Sequence, residues 1–174
     1  IIYITFRFEF KFGVGAIIAL FHDVCIALGA VVLLDQIPGL EMKINLHIVA
    51  AFLTIVGYSL NDTIVVYDRI RENLRHVKKE IARGHWDFDK YKTLVNDSIN
   101  QTLSRTLLTS STTFIAVLVI FLSGVSDIQG FALTMMVGIL VGTYSSIFIA
   151  SPILVFWYNR ELKKEKKSRL DVSG

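Results

Sequence analysis

Cysteine and proline are scarce in this 174-residue chain, which has one cysteine and two prolines. A single cysteine, Cys25, excludes an internal disulfide, and so few prolines leave room for long unbroken helices. Motifs for phosphate binding, metal binding and nucleophilic catalysis are also missing, so neither covalent enzyme chemistry nor a metal or cofactor is expected. The basic residues have few stacking aromatics among them, which argues against a nucleic-acid partner.

Long apolar runs, by contrast, are abundant. Hydrophobic residues make up 53% of the chain and its mean hydropathy is +0.55, which exceeds what the core of a soluble domain needs. Four stretches are nearly free of charge and reach the roughly 20 residues that cross a bilayer as a helix. They run from Gly13 to Leu34, Ile44 to Tyr67, Ile99 to Leu122 and Gly130 to Tyr158. The expected fold is an all-α transmembrane bundle of four full spans.

The segments outside the bundle, which covers 13–158, complete the predicted organisation. The chain opens on Ile1-Ile2-Tyr3-Ile4 without a Met, so residues 1–12 are interpreted as the end of a preceding span and a turn. The chain is then expected to be a fragment of a longer protein. Residues 68–98 form a link between spans two and three, and residues 159–174 form a basic tail.

The 18 lysines and arginines are sorted between the two sides of this bundle. Two precede the first span, eight lie in the link after span two and six follow span four, whereas Lys43 alone lies on the opposite side. The positive-inside rule places the basic side in the cytoplasm, so both chain ends are expected there. Because the outer links are short, the spans are expected to form two antiparallel hairpins.

The link across 68–98 places apolar residues at helical spacing among basic ones, and these are Ile70, Leu74, Val77 and Ile81. This pattern predicts an amphipathic helix on the cytoplasmic surface of the membrane. Two roles stay open for it, a basic connector near anionic lipid or a docking surface for a partner.

Two charged residues stand out inside the spans, where Asp or Arg costs about 2.5 to 3.5 kcal/mol even on a mild insertion scale. Asp62 in span two and Arg105 in span three lie at equal depth, about 27 Å from the outer ends at 1.5 Å per residue. Equal depth predicts that they pair, directly or through water. The pair is a candidate proton relay, in which movement of one helix loads or releases a proton. The alternative is an inert ion pair that fixes helix register.

Polar side chains surround this pair in the sequence. A polar stripe is predicted along span three from residues at steps of three and four: Ser98, Thr102, Arg105, Thr109 and Thr112. In span two Ser59, Asp62 and Thr63 share a face, and Asn61 is turned toward a neighbouring helix. In span one His22 and Asp23 are either further relay members or polar groups satisfied by packing. The candidates for relay or polar support are Asn61, Thr63, Thr102, Thr106, Thr109, His22 and Asp23.

Small residues recur every four positions in span four, at Gly138, Gly142, Ser146 and Ala150. Such a face predicts close packing against another helix. Pro152 predicts a kink in the second half of the same span.

Several segments, taken in order, resemble the SecF family of protein-export membrane proteins. They are Gly15 to Leu20, His22-Asp23, Tyr58 to Val66, Asp68 to Asn73, Asn100 to Thr106, Gly130 to Leu133 and Gly142 to Pro152. The resemblance covers nearly the whole chain. It implies a multi-pass protein of the bacterial cytoplasmic membrane, within the resistance-nodulation-division superfamily.

The resemblance further implies a subunit that uses the proton motive force late in protein export. Its partners are then SecD, separate or fused, the SecYEG channel and the unfolded polypeptide that the SecA motor has begun to export. In the family the Asp of an Asn-Asp-Thr motif and the Arg of an Arg-Thr pair couple protons, which carries over to Asp62 and Arg105. The family's first helix and periplasmic domain are missing from this sequence.

Two other functions stay open at this point. One is an exporter of small molecules or lipids from the same superfamily, which the sequence upstream of Ile1 would distinguish. The other is a non-transporting scaffold that uses Asp62 and Arg105 as register pins, which a functional charge-swapped double variant would favour.

Overall fold

A computed structural model describes residues 10–38, 42–77 and 87–160. It contains four long helices: α1 (Phe10–Leu34), α2 (Leu46–His76), α3 (Phe88–Leu122) and α4 (Ser126–Ser145). After α4 the helix continues through a π-helical turn, Ser146–Ala150, to Arg160. All four are long and apolar enough to cross a membrane, so the predicted all-α polytopic bundle is confirmed.

Side chains at the helix ends account for where the helices begin and turn. The Asn45 side chain accepts a hydrogen bond of 2.9 Å from the Ile48 backbone N–H and so caps α2. Asp87 caps α3 in the same way by accepting from the Asp89 N–H at 2.8 Å. Such caps satisfy amide groups that have no partner within the helix. Between α3 and α4 the chain turns at Gly124, whose φ of 72° favours glycine.

Helix α4 is central, because it packs against each of the other three helices. Helix α2 also contacts both α1 and α3. The outer faces carry large apolar side chains, and Phe21, Leu53 and Phe156 are each at least 70% exposed. An apolar exterior around a partly polar interior is the arrangement expected for a bundle surrounded by lipid.

Two apolar clusters hold the helices together at different heights. One joins Phe12 of α1, Ile70 of α2 and Tyr91 of α3, together with the end of the last helix. The other includes Ala27, Ile55 and Val117 and packs against the first half of α4. The polar groups described below lie between helices whose two ends are fixed by these apolar contacts.

The link between α2 and α3 differs from the prediction of a separate surface helix across 68–98. Helix α2 continues to His76 and α3 begins at Phe88, so most of the predicted link extends the two spans. Ile70 is fully buried and Leu74 packs on the same cluster against α3, which gives the apolar stripe a partner inside the bundle. Residues 78–86 of the link lie outside the described residues, as do residues 1–9 and 161–174 at the chain ends.

The widened turn Ser146–Ala150 lies just before Pro152. Proline has no N–H to donate, and its ring crowds the carbonyl four residues earlier, here that of Phe148. A π-helical turn adjusts the backbone at such a point while the helix continues. Two side-chain hydroxyls bond to carbonyls at the ends of this turn, Ser151 to that of Ser146 at 3.1 Å and Tyr67 to that of Ala150 at 2.8 Å.

Candidate functional site

The Asp62 carboxyl group lies inside the bundle, near the middle of α2, with only 3% of the residue exposed. The Ser110 hydroxyl of α3 donates to its Oδ2 atom across 3.4 Å. A carboxyl group removed from water needs such donors, because an unpaired charge is costly to bury. Asp62 therefore sits where a single hydroxyl group satisfies part of its hydrogen-bonding capacity.

Ser110 is the centre of a larger hydroxyl cluster that joins three helices. The Tyr58 hydroxyl of α2 donates to Ser110 Oγ at 3.1 Å, and the Thr143 hydroxyl of α4 donates to it at 2.7 Å. Since a serine hydroxyl has one donor and two acceptor sites, these contacts fill it completely. The position of the donor to Asp62 is thus set jointly by α2, α3 and α4.

Arg105 is exposed and lies equally far from both ends of α3. Hydrogen bonds from Arg69 to Gln101 (2.6 Å) and from Asn73 to Ser98 (2.8 Å) set the register of α2 against α3. In that register Asp62 is level with Ser110, so Arg105 lies about 7 Å further along the axis, at 1.5 Å per residue. The prediction of equal depth is therefore off by more than one turn.

No direct ion pair joins Asp62 to Arg105 in the structure. Within residues 10–38, 42–77 and 87–160, the Arg105 side chain makes no hydrogen bond or ion pair, although its charge acts on the Asp62 carboxyl group through space. The arrangement is one of a buried carboxyl group and a cation that acts on it without direct contact.

The buried polar row of α3 also differs from the predicted stripe. Its members recur at steps of four residues and are Ser98, Thr102, Thr106 and Ser110. Arg105, Thr109 and Thr112 of the predicted stripe are exposed instead. A row at steps of four is one of the two ridges that a helix can present to a neighbour, and the crossing angle decides which ridge is used.

The remaining predicted polar residues differ in burial and in hydrogen bonding. Thr63 is buried next to Asp62, whereas Asn61 is exposed. Thr102 and Thr109 donate to carbonyl groups of their own helix, at 3.0 and 2.9 Å. Thr106 is buried, and its hydroxyl has no hydrogen-bond partner among the described residues.

Asp23 occupies a second polar cluster, where α1, α2 and α4 meet. The residue is fully buried, and its Oδ2 atom accepts hydrogen bonds from Ser59 and from Ser145, the latter at 2.7 Å. Its Oδ1 atom lies 3.1 Å from Nδ1 of His22, which is partly exposed. The structure thus brings His22 and Asp23 together with α2 and α4. Neither residue is hydrogen-bonded directly to Asp62 among the described contacts.

Gly138 and Gly142 of α4 both face α2. A side chain at Gly138 would overlap Ile55, and one at Gly142 would lie 3.1 Å from Cβ of Ser59. The absence of side chains therefore lets the two helices approach closely at Ile55 and Ser59.

Sequence reasoning missed four members of these clusters: Tyr58, Ser110, Thr143 and Ser145. Ser110 could have been predicted, because it continues the four-residue steps of Ser98, Thr102 and Thr106. The other three were not, because nothing in one sequence states which faces of α2 and α4 meet α3 and α1.

The fold and the clusters define the class of protein first: a multi-pass membrane protein with two buried carboxyl groups held by hydroxyl side chains. The family follows from comparison with known proteins. Residues 1–160 match the family described as "Protein export membrane protein SecD/SecF, C-terminal". The chain belongs to this protein-export family.

Individual relatives carry the name protein translocase subunit SecF. The chain is 49% identical over 155 residues to that of Koribacter versatilis and 49% over 154 residues to that of Rhodothermus marinus, covering 89% and 88% of this chain. It is 50% identical over 165 residues to that of Desulfurispirillum indicum, covering 95% of this chain. It spans 35%, 47% and 49% of those three relatives, so it corresponds to half of their length or less.

Solved structures of SecDF share the fold. One, in a super-membrane-facing form, matches with a TM-score of 0.82 and 46% identity over 96% of this chain. Another, described as a translocon-associated membrane protein from Thermus thermophilus, matches with a TM-score of 0.78 and 47% identity over 91% of this chain. The chain covers 21% and 20% of those two proteins.

Proposed function

We propose that this chain is the membrane part of a SecF-type subunit in which Asp62 takes up and releases protons to drive protein export. Membership of the family supports the proposed role in protein export, and the relatives are named as translocase subunits. The observation that carries the proposal is the placement of Asp62, a buried carboxyl group in mid-span with a donor chain of hydroxyl groups from α3 and α4. Ionisable groups inside a span are costly and mark proton pathways in transport proteins.

Arg105 is the cationic partner of Asp62 in this proposal. It acts on the carboxyl group through space without being bound to it, so gain or loss of a proton at Asp62 does not require an ion pair to break. A register pin needs a direct pair with several hydrogen bonds, and the described residues contain no such pair between the two. This favours the relay over the scaffold.

The energy available is adequate for a conformational cycle. One charge that crosses the membrane under 100 mV releases about 2.3 kcal/mol. A bias of that size changes the ratio of two conformers about 50-fold, since about 1.4 kcal/mol is tenfold. Movement of α3 or α4 changes the Ser110 contact directly, so the site is placed to convert proton binding into helix movement.

The names of the relatives support a wider proposal about partners and location. The partners are SecD, to which SecF is joined in the SecDF name, the SecYEG channel with SecA, and the unfolded polypeptide in transit. The membrane is the bacterial cytoplasmic membrane, with both ends of this chain in the cytoplasm as the charge distribution indicates. Anionic lipid lies beside the basic residues of that side.

The test is proton flux through the intact SecDF complex in proteoliposomes, under an imposed pH gradient and with an unfolded substrate present. Asp62→Asn is expected to abolish flux and proton-dependent export, because the amide keeps the shape but cannot ionise. Asp68→Asn makes the same chemical change at an exposed position of α2 and is expected to leave flux intact. Normal flux with Asp62→Asn in a fully assembled complex would contradict the proposal.

A further inference from the structure

Asp23 is the most buried charged residue in the described part of the chain outside the Asp62 site, with no exposed surface. Three helices meet at it, since Asp23 belongs to α1 and its Oδ2 atom accepts hydrogen bonds from the hydroxyl groups of Ser59 in α2 and Ser145 in α4. A carboxyl oxygen has room to accept both hydrogen bonds at once. Asp23 therefore links α2 and α4 at the same height in the bundle.

The link through Asp23 lies beside a close contact between α2 and α4. Gly142 packs directly on Ser59, and a methyl group at that glycine would lie 3.1 Å from Cβ of Ser59. Ser145 is the last residue of α4 before the π-helical turn begins. Regular helix on one side and a widened turn on the other meet at the residue that Asp23 holds.

The same two helices carry the Asp62 site, one short step away. On α2, Asp62 follows Ser59 by three residues, about 4.5 Å along the axis. On α4, Thr143 precedes Ser145 by two residues, about 3 Å along the axis. Thr143 in turn donates to Ser110, the donor to Asp62.

These contacts form a closed circuit. It runs from Asp23 through Ser59 along α2 to Asp62, then through Ser110 and Thr143 along α4 to Ser145 and back to Asp23. Because the circuit is closed, the axial position of α4 relative to α2 sets the distance between Ser110 and Asp62. The contact between Ser110 and Asp62, at 3.4 Å, is the longest in the circuit and responds most to a small slide of α4.

We propose that Asp23 is a positioning residue, which holds α2 and α4 in register through Ser59 and Ser145 and thereby sets the hydrogen bond from Ser110 to Asp62. This inference rests on the proposed function of Asp62 and adds a residue on a helix that does not carry the site. Asp23 itself does not exchange the transported proton.

The experiment uses the intact SecDF complex in lipid and two readouts, proton flux and the infrared C=O stretching band of protonated Asp62, identified by its loss in Asp62→Asn. Asp23→Asn keeps the side-chain shape but weakens the two hydroxyl contacts. Ser59→Ala combined with Ser145→Ala removes those contacts while the Asp23 carboxylate stays. Cys25→Ser, at an exposed position of the same helix, is the matched control.

Both sets of changes are expected to lower flux several-fold without reaching the level of Asp62→Asn, and to move the Asp62 band to higher wavenumber as its hydrogen bond weakens. The control is expected to change neither readout. An Asp62 band unchanged in both variants overturns the inference, whatever happens to flux. Complete loss of flux in Asp23→Asn with an unchanged band would make Asp23 a proton carrier instead.

The two proposals fail in different ways. If Asp62→Asn retains normal flux, the proposed function is wrong, while the infrared band still reports whether Asp23 positions Ser110 against Asp62. If Asp23→Asn does not assemble, the double serine variant, which keeps the buried carboxylate, decides the inference by the same two readouts.

Discussion

Helix α4 packs on α2 most tightly at Gly138, and this contact gives a prediction whose magnitude can be worked from the structure. A Cβ atom at Gly138 would overlap Cγ1 and Cδ1 of Ile55, and Ile55 is fully buried. Gly138→Ala adds about 1 kcal/mol of helix propensity, but overpacking of a filled core costs about 1 to 3 kcal/mol. The net change is expected to be a loss of up to about 2 kcal/mol in the free energy of unfolding.

The matched control is Gly57→Ala. Gly57 lies in α2 and is exposed, and a methyl group added there would have no atom within 4 Å beyond its own helix backbone and chain neighbours. The change therefore gains the helix propensity, up to about 1 kcal/mol, without any overlap. Since the propensity gain is common to both variants, the difference between them isolates the overlap and is expected to be about 1 to 3 kcal/mol.

The assay is the free energy of unfolding of the intact subunit in mixed micelles, titrated with a denaturing detergent. A second arm adds Ile55→Ala, which removes the overlapped atoms. The double variant with Gly138→Ala is then expected to be more stable than the sum of the two single changes, by about 1 kcal/mol or more. Equal stabilities for Gly138→Ala and Gly57→Ala, or strict additivity in the double variant, would refute the close contact.

Three further changes test the packing elsewhere. Tyr67→Phe removes the donor to the buried Ala150 carbonyl, 2.8 Å away, and is expected to cost about 1 to 3 kcal/mol in the same titration. Gly15→Ala places a methyl group against the Tyr67 hydroxyl and is expected to cost much less when Tyr67→Phe is present, so equal costs in both backgrounds would contradict the contact. Gly124→Ala is expected to cost about 1 kcal/mol from its left-handed φ alone, and a thermal shift of zero would contradict that geometry.

Hydropathy was sufficient to predict the fold, because the need to satisfy every backbone group inside a bilayer leaves helices as the only spans this pattern allows. The same signal fails at the helix ends. Ile70 and Leu74 are amphipathic in sequence whether they lie on a membrane surface or pack against α3, so the extension of α2 to His76 could not be distinguished from a separate helix.

The register of one helix against another is the second limit. Counting residues from the outer span ends placed Asp62 and Arg105 at equal depth, but in the observed register the outer ends of α2 and α3 are not level. The hydrogen bond from Asn73 to Ser98 sets the actual register, and it joins residues that the prediction left in the link or at its edge. The energetic cost of a charge inside a span thus identified Asp62 and Arg105 as unusual. Their position relative to each other, however, depends on contacts outside the predicted spans.

Contacts between distant segments are the third limit. Ser145 reaches Asp23 across 122 residues of sequence, and no periodicity within either helix indicates that pairing. The small residues of α4 predicted a close approach without naming the partner, and it is the position of Gly142 on Ser59 that brings α4 near enough for the hydrogen bond to form.

The use of hydroxyl groups around Asp62 suits the gain and loss of a proton proposed for this group. A serine hydroxyl has one donor and two acceptor sites, so Ser110 can donate to the carboxylate, and it can accept from the carboxylic acid once its own proton turns to Tyr58 or Thr143. Arginine has donors only, and a direct pair would lose its partner on protonation and leave a buried cation unpaired. Arg105 at a distance avoids that cost while its charge still reaches Asp62. The helix contacts can therefore persist in both protonation states, while two hydrogen bonds of the cluster reverse direction.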